Sequence, residues 1–226
     1  MKNILIYFII IVIPTNLIAH TDHYKDIKEI EMEIFKDDKI IGFSKFTFNK
    51  NGKSFEVKNL TEFEVKIFGV TVFSILSRGT EKYVADQLIS FNSETFQNDK
   101  RKFVNLEYDK KNNVFKIDGS SYQGTTDVNN IVGNWWNHKI LQTDSQISPL
   151  SGSVKKQVVE FVGKEKIFLY EKEIEVEHFT IKSTDQKIEE DKKLNFHVWY
   201  DKKRAIIVKI SYQRLGNWEY RLKKIK

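Results

Sequence analysis

The chain has 226 residues, 40% of them hydrophobic and 30% charged, which suits one ordinary globular domain and excludes global disorder. Aromatic residues make up 13% against three Ala and two Pro, a balance that disfavours a helical bundle and favours strands. The absence of Cys excludes disulfides, thiolate metal sites, Cys nucleophiles and Cys-linked lipid. The formal charge of +6 comes from Lys interleaved with Asp and Glu, so no basic stripe points to nucleic acid.

Residues 1–19 read MKNILIYFIIIVIPTNLIA: one Lys, an apolar run from Ile4 to Ile13, a breaker at Pro14 and a small residue at Ala19. That order is the pattern of a secretory signal peptide. As a helix the run is about 15 Å long, half of what a bilayer-spanning segment needs. The expectation is cleavage after Ala19, a single β-rich domain over 20–226, no integral span afterwards, and a periplasmic or secreted location. Cleavage there would make His20 the N-terminal residue, whose amine and imidazole can chelate Cu(II). Nothing specifies a further ligand, so no metal and no cofactor is expected.

From Ile30 onward the pattern is period two, the signature of strands with one buried face. Ile30, Met32 and Ile34 alternate with Glu29, Glu31 and Glu33, which read as a solvent face. Turns are expected at Asp37–Lys39, at Asn51-Gly52 and at Lys110–Asn113, each joining sequential antiparallel neighbours. Near the end, Leu194–Tyr200, Ile206–Tyr212 and Trp218–Leu222 predict a three-strand meander with turns at Asp201–Arg204 and Leu215–Asn217. The buried phase changes around Glu177-His178, from Ile174 and Val176 to Phe179 and Ile181, which predicts a β-bulge there. The fold expected is mainly β, an antiparallel meander forming a strongly curved sheet or open half-barrel, with one short helical or irregular segment near 120–150.

Two stretches break the alternation. Residues Ile67 to Leu76 carry no charge and are apolar on both faces, Phe68, Val70, Val72 and Phe73 among them, which predicts cover on both sides. Gly119 to Gly152 is long and polar and holds Trp135-Trp136, with a short helix expected near Asn130–Leu141. A connection this long inside a compact domain is usually a lid, plug or binding segment. The simplest expectation is that its tryptophans pack on the two-sided strand as core. The alternatives are a ligand held between the two, or contact with a membrane or a partner.

Catalytic motifs are absent. There is no H-E-x-x-H and no phosphate or dinucleotide loop, and Gly119–Gly124 does not match a serine nucleophile elbow. No catalytic residue is assigned. His178 and His197 read as sheet histidines. His138, directly after the tryptophan pair, lies in the irregular segment where functional side chains gather.

Taken together, Lys39-Ile40-Ile41-Gly42, Phe46-Thr47-Phe48, the hairpin from Glu81 through Tyr83-Val84-Ala85-Asp86-Gln87 to Ser90, Trp135-Trp136-Asn137, and Val198-Trp199-Tyr200-Asp201 resemble a bacterial exported domain-of-unknown-function family, six-one-three-four. Gln87 stands where that pattern often has Gly. The resemblance implies a signal peptide and a curved antiparallel sheet in the style of open β-barrel envelope proteins, and it implies no activity.

The functional expectation is an exported protein that binds or carries an apolar ligand such as a lipid or acyl chain, or acts as an envelope chaperone. Its candidate ligand-binding residues are Phe68, Val70, Val72, Phe73, Trp135, Trp136 and His138. The alternatives are a cell-envelope enzyme using His138 with a carboxylate, or a structural partner of another envelope protein.

Overall fold

The computed structural model describes residues 23–226 except 186 and 188, so the 1–19 segment and His20 lie outside the described residues. The period-two stretches become β1 (Glu29–Lys36), β2 (Lys39–Asn51), β3 (Ser54–Ile67), β4 (Val70–Val84), β5 (Gln87–Gln97), β6 (Lys100–Asp109), β7 (Val114–Gly119) and β8 (Tyr122–Asp127). After the short β9 (Ile131–Val132) and β10 (Ser145–Ile147) come β11 (Val154–Leu169), β12 (Lys172–Ser183), β13 (Asn195–Asp201), β14 (Ile206–Gln213) and β15 (Asn217–Ile225). All belong to one sheet in the order β8-β7-β6-β5-β4-β3-β2-β1-β15-β14-β13-β12-β11-β10-β9. Pairing is antiparallel except between β9 and β10.

The pairing of β1 with β15 puts both ends of the described chain in the middle of the sheet, and the free edges are β8 and β9. Those edges are consecutive in sequence. The link between Asp127 and Ile131 can span only about 14 Å, and Asn130 tightens it by donating from its backbone to Asp127 O (3.1 Å) and from its side chain to Thr126 Oγ1 (2.8 Å). The sheet therefore curls until its edges approach, without closing into a barrel. Register shifts in β1/β2, β3/β4, β4/β5 and β13/β14 supply the bending, because an extra residue in one strand increases local twist.

The turns follow local chemistry. Left-handed backbone occurs at Asp37-Asp38, Gly52, Ala85-Asp86, Asn98 and Asn113, residue types that mostly tolerate it. Gln87 begins β5, so the left-handed positions of that hairpin fall on Ala85 and Asp86 and no Gly is needed at 87.

Residues 128–153 fold back against the inner face as a plug. In place of a helix near 130–141 there is a 3-10 turn at His138–Gln142, capped by Asn137 Oδ1, which accepts from Lys139 N (3.1 Å). The plug is tied to the wall by Ser93 Oγ donating to Pro149 O (2.6 Å) and Ser121 N donating to Ser151 O (3.0 Å). Its Val132, Trp136, Ile140 and Ile147 are buried in one cluster with wall residues including Phe46, Phe55, Phe91, Leu106 and Phe115.

Three expectations need correction. The Ile67–Leu76 stretch is not covered on both sides: Ile67, Phe68, Val70 and Val72 are exposed, because the β3–β4 hairpin overhangs the plug's reach. The bulge opposite His178 and Phe179 lies in β11, between Phe161 and Gly163, while β12 stays regular against β13. The phase change in β12 instead marks a change of covered face. Before Glu177, where β12 is not paired with β13, the β11–β12 hairpin folds over the outside of the sheet, where Tyr170 at its tip donates to Glu33 Oε2 (2.5 Å), and Leu169 and Val176 become buried. That arm, with Lys223 also paired to Glu33, is why Glu33 is only 8% exposed on a face that read as solvent.

The curl demands close strand approach at Gly42, beside the β1/β2 bulge and opposite Phe63. A Cβ there would lie 2.1 Å from Glu62 O and 2.4 Å from Phe63 Cβ. Gly42→Ala is expected to destabilise the protein by about 1–3 kcal/mol, read as a lower urea midpoint. An unchanged midpoint would show that the two strands need not approach so closely.

Candidate functional site

Between the plug and the inner face of β2, β3, β4, β14 and β15 lies a cavity of about 680 Å³. Its wall is aromatic and aliphatic: Phe63, Phe73, Ile75, Tyr212, Trp218 and Tyr220, with Trp135 and Leu150 contributed by the plug. The rings support one another, Phe63 edge-on to Trp218 at 5.5 Å and Tyr212 stacked on Trp218 at 5.8 Å. Period two explains the set, since residues 63 and 65 of β3, 73 and 75 of β4, and 218 and 220 of β15 each lie on the inner face of their strand.

The polar groups in the lining are mostly consumed internally. Ser44 Oγ and Thr61 Oγ1 share a hydrogen bond of 2.8 Å, and Ser77 Oγ meets Thr95 Oγ1 at 2.7 Å. Burial pushes the Tyr220 hydroxyl up to about 12 and that of its hydrogen-bonded neighbour Tyr212 higher still, so both stay neutral. The charges, Lys36 and Arg214, come from strand ends at the mouth. Lys36 Nζ is engaged by Asp37 (2.8 Å) and by Leu215 O (2.7 Å). Among the described residues no carboxylate or imidazole lines this cavity. The arrangement can bury an apolar molecule.

Of the predicted ligand residues, Val72, Phe73 and Trp135 are brought together in this lining. Phe68 and Val70 sit on the exposed tip of the β3–β4 hairpin, whose Ile67 reaches the mouth. Trp136 and His138 do not belong with them. Trp136 is 1% exposed, packed edge-on against Phe48, Tyr83 and Tyr24. Aromatic contacts of this kind add about 0.5–1.5 kcal/mol each beyond area burial, so this indole is core. His138 lies beside His23, Tyr24 and Tyr200, outside the cavity lining. Burial, then the nearby His23 and Lys139, push its imidazole down to about 4, which leaves it neutral at pH 7. On the outer face His178 Nε2 and His197 Nδ1 share a 2.9 Å hydrogen bond. Among the described residues no group of three or more His, Asp or Glu is arranged to hold a metal ion.

The residue that positions the site is Glu81. It is fully buried on the inner face of β4 and accepts from Tyr83 Oη (2.5 Å), Asn134 Nδ2 (2.7 Å) and Trp136 Nε1 (2.8 Å). Wall and plug thus share one carboxylate. With Trp136 turned to Glu81, the adjacent Trp135 turns the other way, into the cavity and edge-on to Phe196 at 5.0 Å. Sequence reasoning missed this role: Ile75, Ser77, Gly79, Glu81 and Tyr83 share one strand face, but with Ser and Gly in it the stripe does not read as core, and only the structure shows it buried.

Fold and site together define an open, barrel-like antiparallel β protein plugged by its own chain. A family model described as Domain of unknown function (DUF6134) matches residues 32–223, and the chain belongs to that family. Among solved structures it is similar to the crystal structure of a beta-barrel-like protein of Domain of Unknown Function DUF1849 from Brucella abortus, with a TM-score of 0.58 and 11% identity. That match covers 88% of this chain and 97% of the other, and it concerns fold alone. No curated protein matches the chain.

Desolvation raises the Glu81 pKa above the ordinary carboxylate range, against the lowering effect of its three donors. A carboxyl whose folded pKa exceeds its unfolded value takes up a proton on folding, so native stability falls as pH rises from the unfolded value through the folded one and then levels off. Glu81→Gln should abolish that component, gaining on wild type as pH rises through the same window in urea titrations. Glu81→Ala, which strands three buried donors, should cost about 3–5 kcal/mol. Parallel pH profiles for wild type and Glu81→Gln would remove the ionisation from the account.

Proposed function

We propose that this chain is an exported binding protein that holds an apolar ligand, of the class of a lipid or acyl chain, between its curled sheet and its plug. The cavity carries the reading. At about 680 Å³ it falls within the usual range for small-molecule sites, its wall is aromatic, and its hydroxyls are largely satisfied by one another. A ligand able to form many hydrogen bonds would find few partners there. An alkyl chain needs none, and each methylene transferred from water contributes about 0.8 kcal/mol.

Export is supported by the order of residues 1–19, a Lys followed by a short apolar run and a small residue. A protein that transfers an apolar cargo must also remain in solution between membranes, and the charged outer face of the sheet suits that. No described helix is long and apolar enough to cross a membrane. The enzyme alternative built on His138 draws no support from the site, because that imidazole packs among Tyr24 and Tyr200 instead of facing the cavity.

Val72 is half-exposed at the cavity mouth, so a charge there is compatible with folding. Val72→Glu should reduce retention of an apolar ligand at least tenfold, since bound alkyl groups would have to desolvate a carboxylate. The measurement is native mass spectrometry of protein purified gently from its own host, with far-UV circular dichroism to confirm unchanged strands. An adduct-free wild type that also fails to take up a fluorescent fatty acid would end this reading, as would wild-type uptake by Val72→Glu.

A further inference from the structure

Two turns flank the cavity mouth, Phe68-Gly69 between β3 and β4 and Leu215-Gly216 between β14 and β15. Both begin with a bulky apolar residue in left-handed backbone, Phe68 at φ 50° and Leu215 at φ 48°. That position favours Asn, Asp or Gly, and a bulky side chain there is an outlier that raises the energy of the turn. Burial offers no compensation, for Phe68 is 103% and Leu215 95% exposed, the two most exposed large hydrophobic side chains among the described residues. Tyr170 is also left-handed, but it has a structural reason, its hydrogen bond to Glu33. The side chains of Phe68 and Leu215, a phenyl ring and an isobutyl group, have no such partner among the described residues.

Their surroundings point to the same medium. No charged residue occurs from Ile67 to Ser77. The β3–β4 ladder is paired to its last rung, Ile67 with Val70, so that tip can enter an apolar phase with little unpaired backbone. The β14–β15 tip is shallower, for Arg214 precedes Leu215 and Lys36 Nζ donates to the Leu215 carbonyl (2.7 Å), so there the leucine side chain inserts while the cations stay at headgroup level. The first charges down the β3 arm are Lys66 and Glu64, paired at 3.0 Å. From Lys66 to the turn is about 7–10 Å, the depth to which interfacial anchors bury their apolar parts. Two narrow prongs present no flat face for a protein partner, whereas a bilayer accepts separate insertions. Ile67, Val72 and Leu215 also line the cavity, so the prongs stand at its opening.

We propose that the β3–β4 and β14–β15 turns are a two-pronged membrane anchor that sets the cavity mouth against a lipid bilayer, the place where an apolar ligand would enter or leave. This rests on the ligand reading above for its purpose, but not for its test.

The test is flotation of the protein, in the form its host makes, with vesicles of mixed phosphatidylcholine and phosphatidylglycerol. It compares wild type with Phe68→Asn, Leu215→Asn and the double variant. Asn suits left-handed backbone, so the variants should melt at or above the wild-type temperature. Each single change should lower vesicle partitioning about tenfold, and the double variant should not float. Wild-type flotation should survive raised salt, because the contact is apolar. The anchor is overturned if wild type does not float, if the double variant floats as wild type does, if raised salt abolishes flotation, or if the Asn variants are destabilised. Native mass spectrometry of the same preparations reads the cavity separately. A wild type that floats without an apolar adduct keeps the anchor and removes the ligand, and one that carries the adduct without floating does the reverse.

Discussion

The architecture turns on a carboxylate buried inside a β-sheet. Glu81 places a carboxyl group on the inner face opposite Phe91, and it is tolerable because three donors converge on it. Two of them, Asn134 and Trp136, belong to the plug, so wall and plug must assemble together or leave polar atoms stranded. The same contact decides which of two adjacent tryptophans is core and which faces the cavity.

The open sheet explains why a plug is needed. Two antiparallel runs joined at β1 and β15 bury an inner face too wide for the wall side chains alone to fill, and the β8–β11 connection, with its short β9 and β10, supplies the missing volume. The plug does not reach the end where β3–β4 and β14–β15 turn, and the cavity is what remains there. On the outside the β11–β12 arm covers part of the opposite face, which is why β1 and β14 are buried on both sides without any second sheet.

Much of the fold was legible from residues 30–225 because period two and turn chemistry are local. The alternation of Ile30, Met32 and Ile34, the turn at Asp37-Asp38 and the final meander each follow from neighbours in sequence. The site was only partly legible. Val72, Phe73 and Trp135 were found by composition and position, while Phe63, Trp218 and Tyr212, equally important to the cavity, read as ordinary strand residues. They become a site only when β15 is brought beside β1, a contact between strands about 190 residues apart at the two ends of the described chain. Trp136 and His138 neighbour Trp135 in sequence, but the chain turns at 135–136 and enters the 3-10 turn at His138, so their side chains leave it in different directions that only contacts such as Trp136 with Glu81 decide.

By itself the sequence determined a β-rich chain without thiol chemistry, most of its hairpins, and the presence of one irregular segment carrying two tryptophans, all consequences of short-range sterics and hydrophobic periodicity. Only the tertiary structure decided that the sheet curls without closing, that its arm and plug cover opposite faces, and that Glu81 sorts the tryptophans. Those outcomes depend on contacts spanning tens to hundreds of residues, where burial of a carboxylate and the filling of a curved interior outweigh any local preference.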